Sequence, residues 1–280
     1  GERCFKNCDI VDLTFACAGA VDALQNCCDW VRNGEDRQAI VIASDIAKYD
    51  LDSSGEYTQG AGSVSMLICD DPSIISFNGS WGVSTKGIGD FFKPRRTFKR
   101  SSILIEAAKL LDQNISSNEA EELLAKSDSK FWSDSNEIVE VYKEEPIFEG
   151  QFSNESYKDR VFEAIEDFNN QNNRNILTDW ENIIFHLPYA FHGRRMIINK
   201  WLDWMNENEI IKDVYSEIGE PKSIDDVDWM KKVSKSNLYR KFIEDKIAPG
   251  EKASSEIGNM YTASIFMSLI STLVEGVNNN

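Results

Sequence analysis

Asp9-Ile10-Val11-Asp12-Leu13-Thr14-Phe15-Ala16-Cys17-Ala18-Gly19-Ala20 is the stretch on which the fold turns. Asp9 to Phe15 is rich in apolar and β-branched residues and predicts a short strand. Five small residues, Ala16 to Ala20, follow and include Cys17. An amphipathic stretch to Trp30 then predicts a helix. Beyond it, Gln38 to Ser44 (QAIVIAS) is a continuous apolar run of the kind found in a buried parallel strand. A Gly-, Ser- and Asp-rich loop occupies Asp50 to Gly62. Ser63 to Cys69 and Ser73 to Val83 read as further strands. Strand, helix and strand in succession predict an α/β sheet with right-handed crossovers.

The pattern changes after Pro94. Amphipathic helices are expected over Ser101–Gln113 and Ser117–Lys126, the second acidic with Ser at its start. Phe152–Asn169 predicts a helix with Ser153 as N-cap and Tyr157, Val161, Ile165 and Phe168 on one face. A short strand, Asn182–Phe185, runs into His186, and Pro188–Asn206 predicts one long helix. Lys212–Gly250 reads as charged, helical and peripheral. Thr262–Glu275 reads as an apolar, buried helix.

The 280 residues suffice for one large domain or two small ones. Hydrophobic content is 41% and charged content 28%, ordinary for a globular protein. The net charge of −17 argues against nucleic acid, whose phosphates need a basic surface. The apolar run Ala263 to Val274 is too short for a membrane span and contains Ser and Thr, so no membrane is expected. The six cysteines sit in a long Lys/Glu-rich chain unlike a disulfide-stapled domain. Cys4 and Cys8 lack a second pair at zinc spacing. Reduced thiols, no metal and a cytoplasmic location are therefore expected, and the sequons at Asn78, Asn114 and Asn154 carry little meaning. The chain opens on Gly1 in a charged stretch with no visible signal or transit peptide, so the native N-terminus is expected to lie further upstream.

Cys17 falls where a strand meets a helix N-terminus. The helix dipole and free N–H groups there lower a thiol pKa, and small neighbours admit a substrate. A buried structural cysteine fits the same local pattern. Cys27, Cys28 and Cys69 lie within elements and read as structural. Only two histidines exist. His186 ends a strand, where open α/β sheets place functional groups, and His192 reads as a surface or supporting residue. Asn259, in Gly258-Asn259-Met260-Tyr261-Thr262, is either an N-cap or a holder of a substrate carbonyl. Two basic clusters, Lys93/Arg95/Arg96/Lys99/Arg100 and Arg194/Arg195/Lys200, are either phosphate sites or solvated faces.

Taken in order, several segments resemble hydroxymethylglutaryl-CoA synthase, a family of the thiolase-fold superfamily. They are Ala16–Ala20, Ala43-Ser44-Asp45-Ile46-Ala47-Lys48-Tyr49, Gly55–Gly62, Asp90-Phe91-Phe92-Lys93-Pro94, Phe185–Tyr189 and Gly258–Thr262. The resemblance implies a thiolase-like layered α-β-α-β-α sandwich, in one domain over 1–280 that is incomplete at both ends. It also implies a helical insertion over 97–142. It makes Cys17 the thiol that becomes acetylated, and His186 the group that polarises the acetoacetyl-CoA carbonyl with help from Asn259. Tyr49 lines the pocket, and Thr58 and Tyr261 fall in the substrate-binding segments. A family Lys is replaced by Phe191, leaving its role with CoA to Arg194 and Arg195.

The implied substrates are acetyl-CoA and acetoacetyl-CoA. No metal or redox cofactor is needed, a homodimer is expected, and the setting is the mevalonate route to isoprenoids. The family's general acid/base Glu falls upstream of Gly1, and a Gly/Ser-rich loop with closing strands falls after Asn280. The chain is thus expected to be an internal piece of a longer enzyme. Three alternatives stay open: a polyketide β-branching relative acting on carrier-bound substrates, a ketoacyl-synthase-III-type enzyme, and a non-catalytic fragment.

Overall fold

Leu24, Cys28 and Val31 recur along one side of Gly19–Arg32 and are buried, which makes this segment an amphipathic helix, α1. In the computed structural model, which describes residues 7–129, 132, 137–223 and 226–278, the chain divides into two compact units. The Cys4–Cys8 spacing falls partly outside the described residues.

The first unit comprises residues up to Gly87 and from Asn154 onward. Here α1 packs on β1 (Ala39–Ile46) and β2 (Ala61–Ile68), an antiparallel pair with Ala43 opposite Val64. Val41, Ala43 and Val64 face inward with Met260, Ala263 and Phe266, while Ile40, Ile42 and Leu67 face outward and are exposed. The expected doubly buried parallel strand is therefore an antiparallel strand with one buried face. The connection explains this: it holds only a 3₁₀ turn at Glu56–Thr58, and a parallel pairing needs a longer crossover, usually helical.

Two other expected strands do not form. Residues 9–15 have no described neighbour to ladder with, and Ile10, Val11 and Phe15 are exposed. Residues 73–83 give their backbone groups to side chains instead. The Phe77 carbonyl accepts from Arg32 (2.7 Å), and the Val83 N–H donates to Asp167 (2.8 Å).

The rest of the unit is helical: most of α4 (Gly150–Asn172), α5 (Ile176–Asp179), α6 (His192–Met196), α7 (Ile198–Glu207), α8 (Ile211–Ile218), α9 (Val227–Val233), α10 (Asn237–Lys246), α11 (Ala248–Ile257) and α12 (Ser264–Asn278). The expected strand at 182–185 is extended but unladdered, held by the Ile183 N–H to the Lys246 carbonyl (2.8 Å). The single helix expected over 188–206 starts late, at His192, and is broken at Ile197. Residues 212–250 are not peripheral. Val214, Trp229, Val233, Tyr239, Phe242, Ile243 and Ile247 form one core with Trp201 and Trp204. Among the described residues no helix is long and apolar enough to cross a membrane. On α12, Phe266 is buried while Ile270, Leu273 and Val274 are exposed.

The second unit, Ile88–Ser153, is built on an antiparallel pair, β3 (Arg95–Lys99) and β4 (Ile138–Tyr142), closed by Lys99 opposite Ile138. Helices α2 (Arg100–Lys109) and α3 (Ser117–Ala125) lie between the strands and pack together. A Ser116/Glu119 capping box starts α3. Helix α4 begins before Ser153, so that residue is not its cap. The Glu149 carboxylate accepts the N–H groups of Gln151 and Phe152 instead.

Candidate active site

Cys17 lies in the turn Ala16–Ala18 directly ahead of α1. The Gly19 N–H donates to the Phe15 carbonyl (2.9 Å) and closes that turn. Burial, reinforced by the Asp45 carboxylate, pushes the Cys17 thiol up to about 11. The expected lowering by the helix N-terminus is overturned, because loss of hydration outweighs the dipole. Cys17 rests as a thiol.

Two glycines bring a second segment to the site. A side chain on Gly60 would lie 2.4 Å from the Ile257 carbonyl oxygen. One on Gly258, at φ +92°, would lie 2.2 Å from that of Gln59. With neither present, the two backbones touch: the Asn259 N–H donates to the Thr58 carbonyl (2.7 Å) and Gln59 bridges Asn259 in parallel. Asn259 is 1% exposed. Its Nδ2 donates to the Tyr49 hydroxyl (2.9 Å), and its Oδ1 accepts the Tyr261 N–H (2.8 Å), holding Tyr261 at φ +43°. The Tyr49 and Tyr261 hydroxyls bond each other, and the Ala20 N–H of α1 donates to Thr262 Oγ1 (2.8 Å). The Thr58 hydroxyl turns inward to the Gly55 carbonyl (2.7 Å).

The His186 ring bonds the Tyr261 backbone, and its Nδ1 is shut from solvent without a partner. Burial, with His192 adding to it, lowers its pKa to about 4, so at neutral pH it is an uncharged imidazole. Tyr157 on α4 donates its hydroxyl to the His186 carbonyl (2.8 Å). Burial raises the phenols of Tyr157 and Tyr261. The Cys17 sulfur is near enough to both that a thiolate there opposes their ionisation further. The structure thus brings Cys17, Tyr49, His186, Asn259 and Tyr261 into one network.

It does not bring Arg194 to that network as a free cation. Arg194 bonds Glu251, which is 4% exposed, through Nε at 2.9 and 3.1 Å and through Nη2. Its neighbour Arg195 is exposed, its guanidinium 5.9 Å over the Tyr189 ring. In the other unit, Arg95 pairs with Glu140, Lys99 with Glu137 (3.9 Å), and buried Arg100 donates to the Trp132 carbonyl (2.8 Å). That pairing favours the bland reading of the first basic cluster.

One residue escaped the sequence reading, and the surface alternative for another is overturned. Tyr157 was legible only as part of an apolar helix face. His192, one of whose two readings was surface, is 3% exposed.

Residues 139–280 match the profile of Hydroxymethylglutaryl-coenzyme A synthase C terminal, and residues 2–73 that of its N terminal part. A Haloferax volcanii hydroxymethylglutaryl-CoA synthase is 26% identical over 96% of this chain and 53% of its own length. A cytoplasmic enzyme of that name from Rattus norvegicus is 26% identical over 96% of this chain and 47% of its own. Among solved structures, MvaS in complex with 3-hydroxy-3-methylglutaryl coenzyme A superposes with a TM-score of 0.62 at 18% identity, over 96% of this chain and 54% of that one. The HMG synthase of the curacin pathway gives 0.61 at 18%, over 95% and 48%. The fold is thus the thiolase-like α/β fold of these structures. The chain spans about half the length of the curated relatives it matches.

Proposed function

The chain belongs to the hydroxymethylglutaryl-CoA synthase family, and on that premise we propose that the protein carrying it condenses acetyl-CoA with acetoacetyl-CoA, with Cys17 as the acyl carrier. The observation that carries the proposal is the convergence of Cys17, His186 and the Asn259–Tyr49–Tyr261 network in one unit.

Cys17 Sγ loses its proton, attacks the acetyl carbonyl carbon and expels CoA as a thiol, leaving an acetyl thioester. Because the resting sulfur is a thiol, this proton leaves as the C–S bond forms. A carboxylate, which the family resemblance places ahead of Gly1, removes a methyl proton. The resulting carbanion adds to the ketone carbon of acetoacetyl-CoA. The His186 N–H that now rests on the Tyr261 carbonyl is offered as a hydrogen bond to the developing alkoxide, and the carboxyl group returns to that oxygen the proton it took from the methyl. Asn259 holds Tyr49 and Tyr261 in place around this step. Water then hydrolyses the thioester and frees the product and Cys17. Arg195, exposed beside this segment, takes the CoA phosphates, and Arg194 is committed to Glu251. The pairing of Arg95 and Lys99 with carboxylates, and of Arg100 with a carbonyl, gives no support to a carrier-protein substrate. The cytoplasmic rat relative supports a cytoplasmic setting, and the family supports a homodimer in the mevalonate route.

The test separates the two halves of the reaction. His186→Ala is expected to leave acetylation of Cys17 intact and to lower condensation about 100- to 1000-fold. Equal loss of both steps would instead make His186 part of thiol activation.

A further inference from the structure

His192 opens α6 and is 3% exposed, and neither of its ring nitrogens has a hydrogen-bond partner. Leaving a buried polar group unpaired costs roughly 1–3 kcal/mol. An aliphatic side chain would fill the place without that cost, so what the imidazole contributes is a flat ring. Its face stacks on the Tyr157 ring, with centroids 4.8 Å apart and planes at 17°, and the Tyr189 ring meets it edge-on at 4.7 Å. Tyr157 in turn grips His186. Its hydroxyl holds the His186 carbonyl (2.8 Å), and the two rings meet edge to face at 6.1 Å and 85°. Gly193 seats α6 flush beside this stack, because a Cβ there would lie 2.5 Å from the Phe185 ring.

The charges around the stack favour a neutral pair. The His192 imidazole opposes protonation of His186, and Arg195 opposes that of His192. From α4 the facing titratable group is Tyr157. Cys17 lies near enough to Tyr157 for a thiolate there to oppose its ionisation.

Taking His186 as the group that meets the acceptor carbonyl, we propose that His192 is a positioning residue. Through the Tyr157 ring it fixes the plane of His186 and so keeps its ring N–H on the Tyr261 carbonyl, the bond that selects the tautomer. The partner it acts on is another residue of the site, and no second ligand is involved.

Isotope labelling of histidine nitrogens reads the His186 ring by NMR, its signals assigned by their loss in His186→Gln. His192→Leu fills the space without a stacking face, and His192→Phe keeps the face without the nitrogens. The native protein and His192→Phe are expected to show one neutral tautomer of His186 at neutral pH, and His192→Leu a mixture of two. Condensation is expected to fall about 10- to 100-fold in His192→Leu, since misplacement of a reacting group by about 1 Å has effects of this size. It should recover in His192→Phe, with Cys17 acetylation unchanged in all three. An unaltered His186 tautomer in folded His192→Leu, or a failure of His192→Phe to restore it, would overturn the proposal. A native protein that acetylates Cys17 without condensing would count against the acceptor role of His186 alone. The tautomer measurement would still decide the positioning role.

Discussion

Asn259→Ala is the perturbation whose cost can be worked most directly from the structure. The Asn259 amide gives Nδ2–H to the Tyr49 hydroxyl at 2.9 Å and takes the Tyr261 N–H at 2.8 Å. At 1% exposure these bonds have no ready replacement from solvent. Truncation strands the Tyr261 N–H outright, and a stranded buried group costs roughly 1–3 kcal/mol. The native protein already carries the strain of Tyr261 at φ +43°, so losing the acceptor that holds it there adds nothing further to the cost. Tyr49 keeps its bond to Tyr261 and loses less. The loss is therefore about 1–3 kcal/mol. Thr58→Val makes the control, because Thr58 supports Asn259 through its backbone carbonyl alone, so its cost should stay below about 1.5 kcal/mol. Urea unfolding followed by tryptophan fluorescence measures both. An Asn259→Ala protein within about 0.5 kcal/mol of the native one, a change typical of surface substitutions, would refute the claim that this amide holds the site together.

The two adjacent arginines should separate cleanly. Arg194→Ala leaves the Glu251 carboxylate buried without its partner and should destabilise by about 2–4 kcal/mol, below the usual range for a fully buried pair because Arg194 is partly exposed. It should leave KM for CoA thioesters unchanged, whereas Arg195→Ala should raise KM without altering stability; unfolding midpoints and initial rates check both. The histidines set an acid limb. With folded pKa values near 4 against an ordinary 6.5, the unfolded chain takes up protons that the folded one refuses, so their contribution to stability is intact above about 6.5 and is lost as pH falls toward 4. Over that window His192→Phe should lose stability less steeply than the native protein, and parallel urea midpoint curves would contradict this. Finally, joining Lys99 to Ile138, a closing pair of the β3–β4 ladder, by a short turn removes α2 and α3. Turnover should persist, and a large fall in kcat with the fold preserved would make this unit more than peripheral.

The turn at Cys17 and helix α1 were legible because five small residues interrupt an apolar run and Leu24, Cys28 and Val31 keep helical spacing. The pairing of β1 was not. Ile40 and Ile42 look the same in sequence whether they face a second layer or solvent, and only the partner strand decides. The charges of 212–250 hid Trp229, Phe242 and Ile243, which sit at core spacing between Lys and Glu. Arg194 showed its charge but not Glu251, 57 residues further on, which neutralises it. Tyr157 carried no local sign of its role, since its hydroxyl partner is the carbonyl of His186, 29 residues away. Long-range hydrogen bonds of this kind leave no periodicity for a single sequence to display.

The central claim is that Cys17 carries the acyl group, and the most direct measurement is mass spectrometry of peptides after incubating the protein with acetyl-CoA. The account predicts an acetyl label on Cys17 and on no other cysteine. The label should disappear on adding acetoacetyl-CoA and should not form in Cys17→Ser as a thioester. Acetylation of Cys27, Cys28 or Cys69 with Cys17 unmodified would contradict it.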